Sequence, residues 1–195
     1  MSKAPAQAAV LSAPYAPLVR NASLVIAASV FMAICARLSL PLPFTPVPLT
    51  LGNFAVLLIG LVLGSRRGMA ALFLYLAQGA IGLPVFSHTG PGGMAQLLGP
   101  TGGYLMAYPL AAFAAGWLSE RRNAGFPHLA FAAAAGETIL LAGGVAWLVF
   151  AWQASLPQAA SLGVYPFLFA EVIKVMSAAA LAARLPRFAR DGSRS

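Results

Sequence analysis

The residues most able to do chemistry are two opposite charges set inside apolar sequence. Glu171 and Lys174 stand in the run Phe169-Ala170-Glu171-Val172-Ile173-Lys174. A spacing of three puts both on one face of a helix. Such a pair can simply neutralise itself and so tolerate burial. It can also bind an amphipathic ligand, with Lys174 holding a carboxylate and Glu171 accepting N–H groups. Ionisable groups within hydrocarbon are costly enough to mark function. Both lie within the first turns after Pro166, near one end of their segment, which favours the ligand reading.

Other candidates are weaker. Glu137 is a second acid inside an apolar run and has no basic neighbour in sequence, so a hydrogen bond to an adjacent helix accounts for it equally well. The stretch from Val85 to Tyr104 is rich in glycine, which permits tight turns and close backbone approach to a ligand. Its last part, Gly99 to Tyr104, opens a helix whose free N–H groups could face a polar atom. The same composition also describes a plain external connection. His88 has no second histidine beside it and is expected in solvent; His128 falls on the other side, so no metal site is read. Trp147 and Trp152 are interfacial anchors or walls of an apolar pocket, and Cys35 is a small core residue. Small residues four apart, Ser23 with Ala27 and Ser29 with Ala33, would let one helix pack closely on another.

The elements that position these groups follow from composition. Of 195 residues, 60% are hydrophobic and 8% charged, against roughly 25% charged in a soluble domain. Mean hydropathy is +0.83. So few charges cannot cover a water-soluble globule, and the chain reads as an all-α membrane protein. Six apolar segments are predicted: 21–38, 49–63, 68–83, 102–118, 129–152 and 166–185, some of them short for a span of roughly 30 Å. A cytoplasmic segment, 1–20, precedes this 21–185 transmembrane domain, and a basic tail, 186–195, follows it. No cleavable signal peptide is read at the N-terminus.

The net charge of +8 points to topology rather than to nucleic acid. Lys3, Arg20, Arg66, Arg67, Arg121, Arg122, Arg184, Arg187, Arg190 and Arg194 all fall on one side of a six-pass chain, and Arg37 on the other. The positive-inside rule then puts both termini in the cytoplasm. No phosphate-binding loop occurs, so any energy for uphill movement must come from a partner. An intramembrane enzyme is disfavoured by the lack of G-x-S-x-G, of H-E-x-x-H and of any close pair of histidines.

Specific strings narrow the reading further. Leu42-Pro43-Phe44-Thr45-Pro46-Val47-Pro48-Leu49-Thr50-Leu51, followed by Phe54 to Leu58, resembles the start of the BioY family. So do Gly64 to Gly68, Gly82-Leu83-Pro84-Val85-Phe86, Gly99-Pro100-Thr101-Gly102-Gly103-Tyr104, and Pro166-Phe167-Leu168 with Glu171 and Lys174. The likeness covers Arg20 to Leu185. These proteins are the biotin-binding S components of energy-coupling factor transporters. The resemblance implies biotin as transported ligand with no cofactor, and a binding set of Glu171, Lys174, Phe86, Gly99, Pro100, Thr101, Gly102, Gly103 and Tyr104. Lys174 would hold the biotin carboxylate and Glu171 the ureido N–H groups, unless Glu171 only orients Lys174. The family's usual acid at 171 is aspartate, and Gly52-Asn53 stands where Gln-Thr is usual. The coupling face on the first helix, Ala-xxx-Ala in the family, is partly serine here. Implied partners are the lipid bilayer of a bacterial inner membrane, an energy-coupling transmembrane subunit and ATPases. A homo-oligomer is left open. Another vitamin, or a membrane scaffold that binds no small molecule, is the alternative.

Overall fold

The computed structural model describes residues 15–120, 125–186 and 188. Lys3, Arg121, Arg122, Arg187, Arg190 and Arg194 lie outside the described residues, as does most of 1–20 and of 186–195. Each predicted apolar segment contains one helix: α1 (Ala16–Arg37), α2 (Gly52–Leu63), α3 (Ser65–Ala80), α5 (Gly102–Ser119), α6 (Phe126–Phe150) and α8 (Leu168–Arg184). Two short helices, α4 (Gly93–Leu98) and α7 (Leu156–Gly163), lie in connections expected to be irregular. A two-residue hairpin also departs from an all-helical chain: β1 (Ser39–Leu40) pairs antiparallel with β2 (Leu49–Thr50).

The helix boundaries have local causes. α1 begins five residues before the predicted start, with a proline in its first turn, where the missing N–H is not needed. α3 begins at Ser65 rather than Gly68 because Glu120 supplies a cap from the end of α5. The Ser65 N–H and Oγ–H both donate to Glu120 Oε1, each at 2.7 Å. α7 is held at its start by a capping box, Ser155 with Gln158.

Burial sorts the helices by position. Nearly every residue of α2 is buried, from Gly52 through Leu61, so this helix, apolar on all sides, is the centre of the bundle. It packs on α5, α8, α3 and α1. α1 instead shows Leu18, Ile26, Val30 and Ile34 outward, and α8 shows Phe169, Val172 and Ile173. A lipid solvent suits such faces. Among the described residues, α1 and α6 are long and apolar enough to cross a membrane, and α7 with α8, bent by 57°, would make a third span.

Side-chain contacts gather one set of helix ends. Arg67 Nη1 donates to the Phe188 carbonyl at 2.6 Å, Ser65 meets Glu120, and His128 Nε2 lies 2.6 Å from the Leu118 carbonyl. The start of α3, the ends of α5 and α8, and the start of α6 therefore lie together. The hairpin, α4 and α7 lie at the opposite end, over the cavity described next.

Candidate functional site

Glu171 and Lys174 begin the site because α8 presents them inward, one turn apart. Lys174 Nζ donates to Glu171 Oε1 at 2.8 Å, and the two residues are only 9% and 5% exposed. They line a cavity of about 50 Å³. α5 contributes Tyr104, Leu105 and Tyr108 to its wall, and α2 contributes Asn53. The hairpin region adds Val47, Pro48 and Thr50, while Gln96 and Thr101 close it from the α4 side.

Aromatic packing shapes the wall. Tyr75 of α3 stacks on Tyr108, with ring centroids 6.3 Å apart, and makes a T-shaped contact with Phe86 at 5.4 Å. Phe86 fills the space left by Gly79 and is buried, but it does not line the cavity. The Tyr104 hydroxyl donates to the Gly163 carbonyl at 2.6 Å, fixing the end of α7 against α5. Thr45 reaches the same helix end, donating to the Leu162 carbonyl at 2.6 Å.

The glycine-rich string divides into three roles. Thr101 and Tyr104 line the cavity. Gly99 and Pro100 line a second, outer cavity of about 120 Å³ instead, which shares Pro48, Gln96 and Thr101 with the inner one. Gly102 and Gly103 line neither. A Cβ at Gly102 would collide with the Leu97 carbonyl, and one at Gly103 with Trp147 and the Gly143 carbonyl. The missing side chain at 102 lets the start of α5 meet the end of α4, and the one at 103 lets α5 and α6 touch. Trp147 Nε1 in turn donates to the Gly99 carbonyl at 2.9 Å, so this tryptophan braces the glycine-rich turn, while Trp152 is half exposed.

Several groups that face the site were not read as part of it. Glu137 of α6 accepts from Asn53 Nδ2 at 3.1 Å, across to α2, and interacts electrostatically with both Glu171 and Lys174. Its lack of a basic neighbour in sequence hid a lysine 37 positions on. Gln96 is 3% exposed and accepts from the Gly92 N–H. Asn53, Tyr75 and Tyr108 carried the available signal, as polar atoms within apolar runs. Three buried polar atoms around the cavity have no hydrogen-bond partner: Tyr75 OH, Glu137 Oε2 and Glu171 Oε2. A buried acceptor left unmade costs roughly 1–3 kcal/mol. The arrangement can thus accept N–H groups at more than one point and donate from one ammonium and from the Tyr75 hydroxyl.

Outside the cavity, His88 is exposed, with Nδ1 3.2 Å from both Ser39 Oγ and the Arg37 carbonyl. Among the described residues no group of three or more His, Cys, Asp or Glu side chains could hold a metal ion. Cys35 is a free, buried thiol. The two small-residue pairs of α1 separate: Ser29 turns inward and donates to Gln78 Oε1 at 2.7 Å, whereas Ser23 and Ala27 stay exposed.

Comparison with known proteins gives a consistent set of relatives. Residues 3–191 match the model of the BioY family. The chain is 41% identical over 146 residues to a protein of Thermotoga maritima named biotin transporter BioY, covering 75% of this chain and 85% of that one. It is 39% identical to a probable biotin transporter BioY of Pyrococcus horikoshii, covering 72% and 81%. A Rhizobium etli biotin transporter BioY shares 38% identity over 78% of this chain and 87% of its own length. Among solved structures, the S-component for biotin from an ECF-type ABC transporter superposes with a TM-score of 0.78 at 25% identity, covering 89% of this chain and 94% of that one.

Proposed function

This chain belongs to the BioY family, and on that premise we propose that it captures biotin from the external side for an energy-coupling factor transporter. One observation carries the reading. A buried Glu171–Lys174 pair lines a cavity with one carboxylate oxygen, Glu171 Oε2, left without a partner. Biotin offers what that site lacks: a ureido group with two N–H donors and a carbonyl acceptor, on an apolar bicyclic frame that suits tyrosine walls.

The short distance within the pair supports one division of the ligand between its two ends. Nζ and Oε1 are 2.8 Å apart. A bicyclic ring and a pentanoate chain separate the ureido group of biotin from its carboxylate. One pair of touching side chains therefore grips one end. In this reading Glu171 accepts a ureido N–H while Lys174 donates to the ureido carbonyl, and the carboxylate points toward the outer cavity beside Gly99, Pro100 and Thr101. Small-molecule sites usually enclose roughly 300–1,000 Å³. The inner cavity is far smaller, so biotin enters by displacing the external connections, among them the glycine-rich 85–101 stretch.

The membrane reading completes the proposal. α1, α2, α3, α5, α6 and α8 are six spans of one substrate-binding domain, 21–185, in the bacterial inner membrane. The 1–20 segment and the basic 186–195 tail are cytoplasmic. Catalysis has no part in it; ATP hydrolysis falls to partner ATPases, joined through a transmembrane coupling subunit. An apolar groove between α1 and α2, lined by Leu24, Ala27, Phe31 and Val62, supports docking of such a subunit.

Calorimetry of the purified chain in detergent tests the site. Wild type should bind biotin tightly, and Lys174→Ala should lose about 100-fold or more, because truncation leaves a buried carboxylate unpaired. Biotin methyl ester, which lacks the carboxylate charge, should lose the same factor in both proteins. If that loss disappears in Lys174→Ala, Lys174 holds the carboxylate after all. Unchanged binding by the variant removes the site. A folded wild type that ignores biotin ends the capture reading and leaves another vitamin or a scaffold.

A further inference from the structure

The second carboxylate of the cavity region is not spent on Lys174. Glu137 is 5% exposed, its Oε1 accepts from Asn53 Nδ2, and its carboxyl lies within hydrogen-bonding reach of that of Glu171. This bond spans two helices, α6 and α2, and it determines which way the Asn53 amide faces. The Asn53 NH₂ is the group turned toward Glu137, whose Oε1 accepts at 3.1 Å. The carbonyl oxygen Oδ1 is then the atom Asn53 can offer to the cavity it lines. An asparagine not held in this way could present either face.

Neighbouring groups leave that role to Asn53. The titratable side chains acting on Glu137 are Glu171 and Lys174 on α8, with Tyr104 and Tyr108 on α5. α2 and α7, which also pack on α6, carry no titratable residue. Lys174 is already bonded to Glu171, and Tyr104 to Gly163. A Cβ at Gly52 would come within 2.9 Å of the Tyr108 hydroxyl, so no side chain at 52 stands between Asn53 and that wall.

We infer that Asn53, turned by Glu137, is a specificity-determining acceptor that reads one ligand N–H from the α2 wall, while Glu171 reads another from α8. Glu137 is a positioning residue: it fixes Asn53 and does not touch the ligand. This deepens the biotin reading and rests on it. A cyclic urea carries two N–H groups on opposite sides of its carbonyl, and a site with acceptors on two walls selects it over analogues that lack either one. Omitting a hydrogen bond for which a site is built is penalised more than omitting an apolar contact.

Binding by calorimetry to biotin and to its two analogues methylated on one or the other ureido nitrogen provides the test. Wild type should favour biotin over each analogue by about tenfold or more, the scale of one lost hydrogen bond. Asn53→Ala and Glu137→Leu should each weaken biotin about tenfold and abolish discrimination against one analogue only, with no further loss in the double variant. Glu137→Gln keeps a carbonyl that can accept from Asn53 Nδ2, so it should restore most of that discrimination. Equal weakening of all three ligands by Asn53→Ala would overturn the inference, as would Glu137→Gln behaving like Glu137→Leu. If Asn53→Ala does not fold, Asn53→Leu, which has a similar shape and no acceptor, carries the same comparison. A wild type that binds biotin without preferring it over either analogue sinks this inference and leaves the capture reading standing. Absence of biotin binding by folded wild type removes both.

Discussion

The two ends of the bundle are built from different side chains by the same helices. Around the cavity, α3, α5 and the segment before α8 supply Tyr75, Tyr104, Tyr108 and Phe167, joined by Met32 and Phe86. At the end where Arg67 meets Phe188, the core is Ala115, Ala132, Ala133, Ala178, Ala179 and Ala182 against Leu57, Leu58, Leu61 and Leu129. Alanine lets α2, α5, α6 and α8 approach closely, the means by which helices associate when no water drives them together. Large aromatic rings and a charged pair keep the same helices apart at the other end. The difference separates tasks: one end holds the helices in register, and the other uses that register to place polar atoms around a space.

The sharpest way to break this comparison is to ask whether the charged pair also holds the fold. Lys174→Met should destabilise the detergent-solubilised protein by about 3–5 kcal/mol, the usual cost of leaving one buried partner behind. Glu171→Leu with Lys174→Met should recover most of that stability while failing to bind biotin. Chemical denaturation of the single and double variants decides it; a double variant no more stable than the single would make the pair structural.

The alanine end should respond in the opposite sense. Ala133→Leu, at a position with no exposed surface, should cost about 1–3 kcal/mol by overpacking. Biotin affinity of the folded fraction should stay within about threefold of wild type, the same measurement expressed on the RT scale. A large affinity change would show that the two ends are not separable. Between them sits Gly103→Ala, which pushes α5 away from Trp147 and reaches both ends. It should lower stability by about 1–3 kcal/mol and also weaken biotin, measured by thermal shift and calorimetry together. The smallest effect is expected for Trp147→Phe. Losing the bond to the Gly99 carbonyl should cost about 1 kcal/mol, seen as a biotin dissociation rate several-fold faster in stopped flow.

What the sequence discloses follows the same division. The long apolar runs announce α1, α5 and α6 because burial in lipid leaves little choice of residue. Glu171 and Lys174 are legible because their partnership is local, three positions apart. The Asn53–Glu137 bond is not, since its partners are 84 positions apart and only packing of α2 on α6 brings them together. α4 and α7 escape notice among glycine and proline, although Ser155-x-x-Gln158 spells a helix start. Gly102, Gly103 and Phe86 are recognisable by resemblance, yet their structural work is to let helices and rings touch. A string of residues shared by a family marks a constraint without saying whether the constraint is contact with a ligand or contact with the next helix.

The end of α7 has a further consequence. The last carbonyls of a helix lack partners within it, and here two in succession, Leu162 and Gly163, are taken by hydroxyls from different elements, Thr45 and Tyr104. Neither bond can be broken by moving α7 without straining the other. Lifting this helix end, which forms the Gly163 edge of the cavity, therefore requires both bonds to be broken.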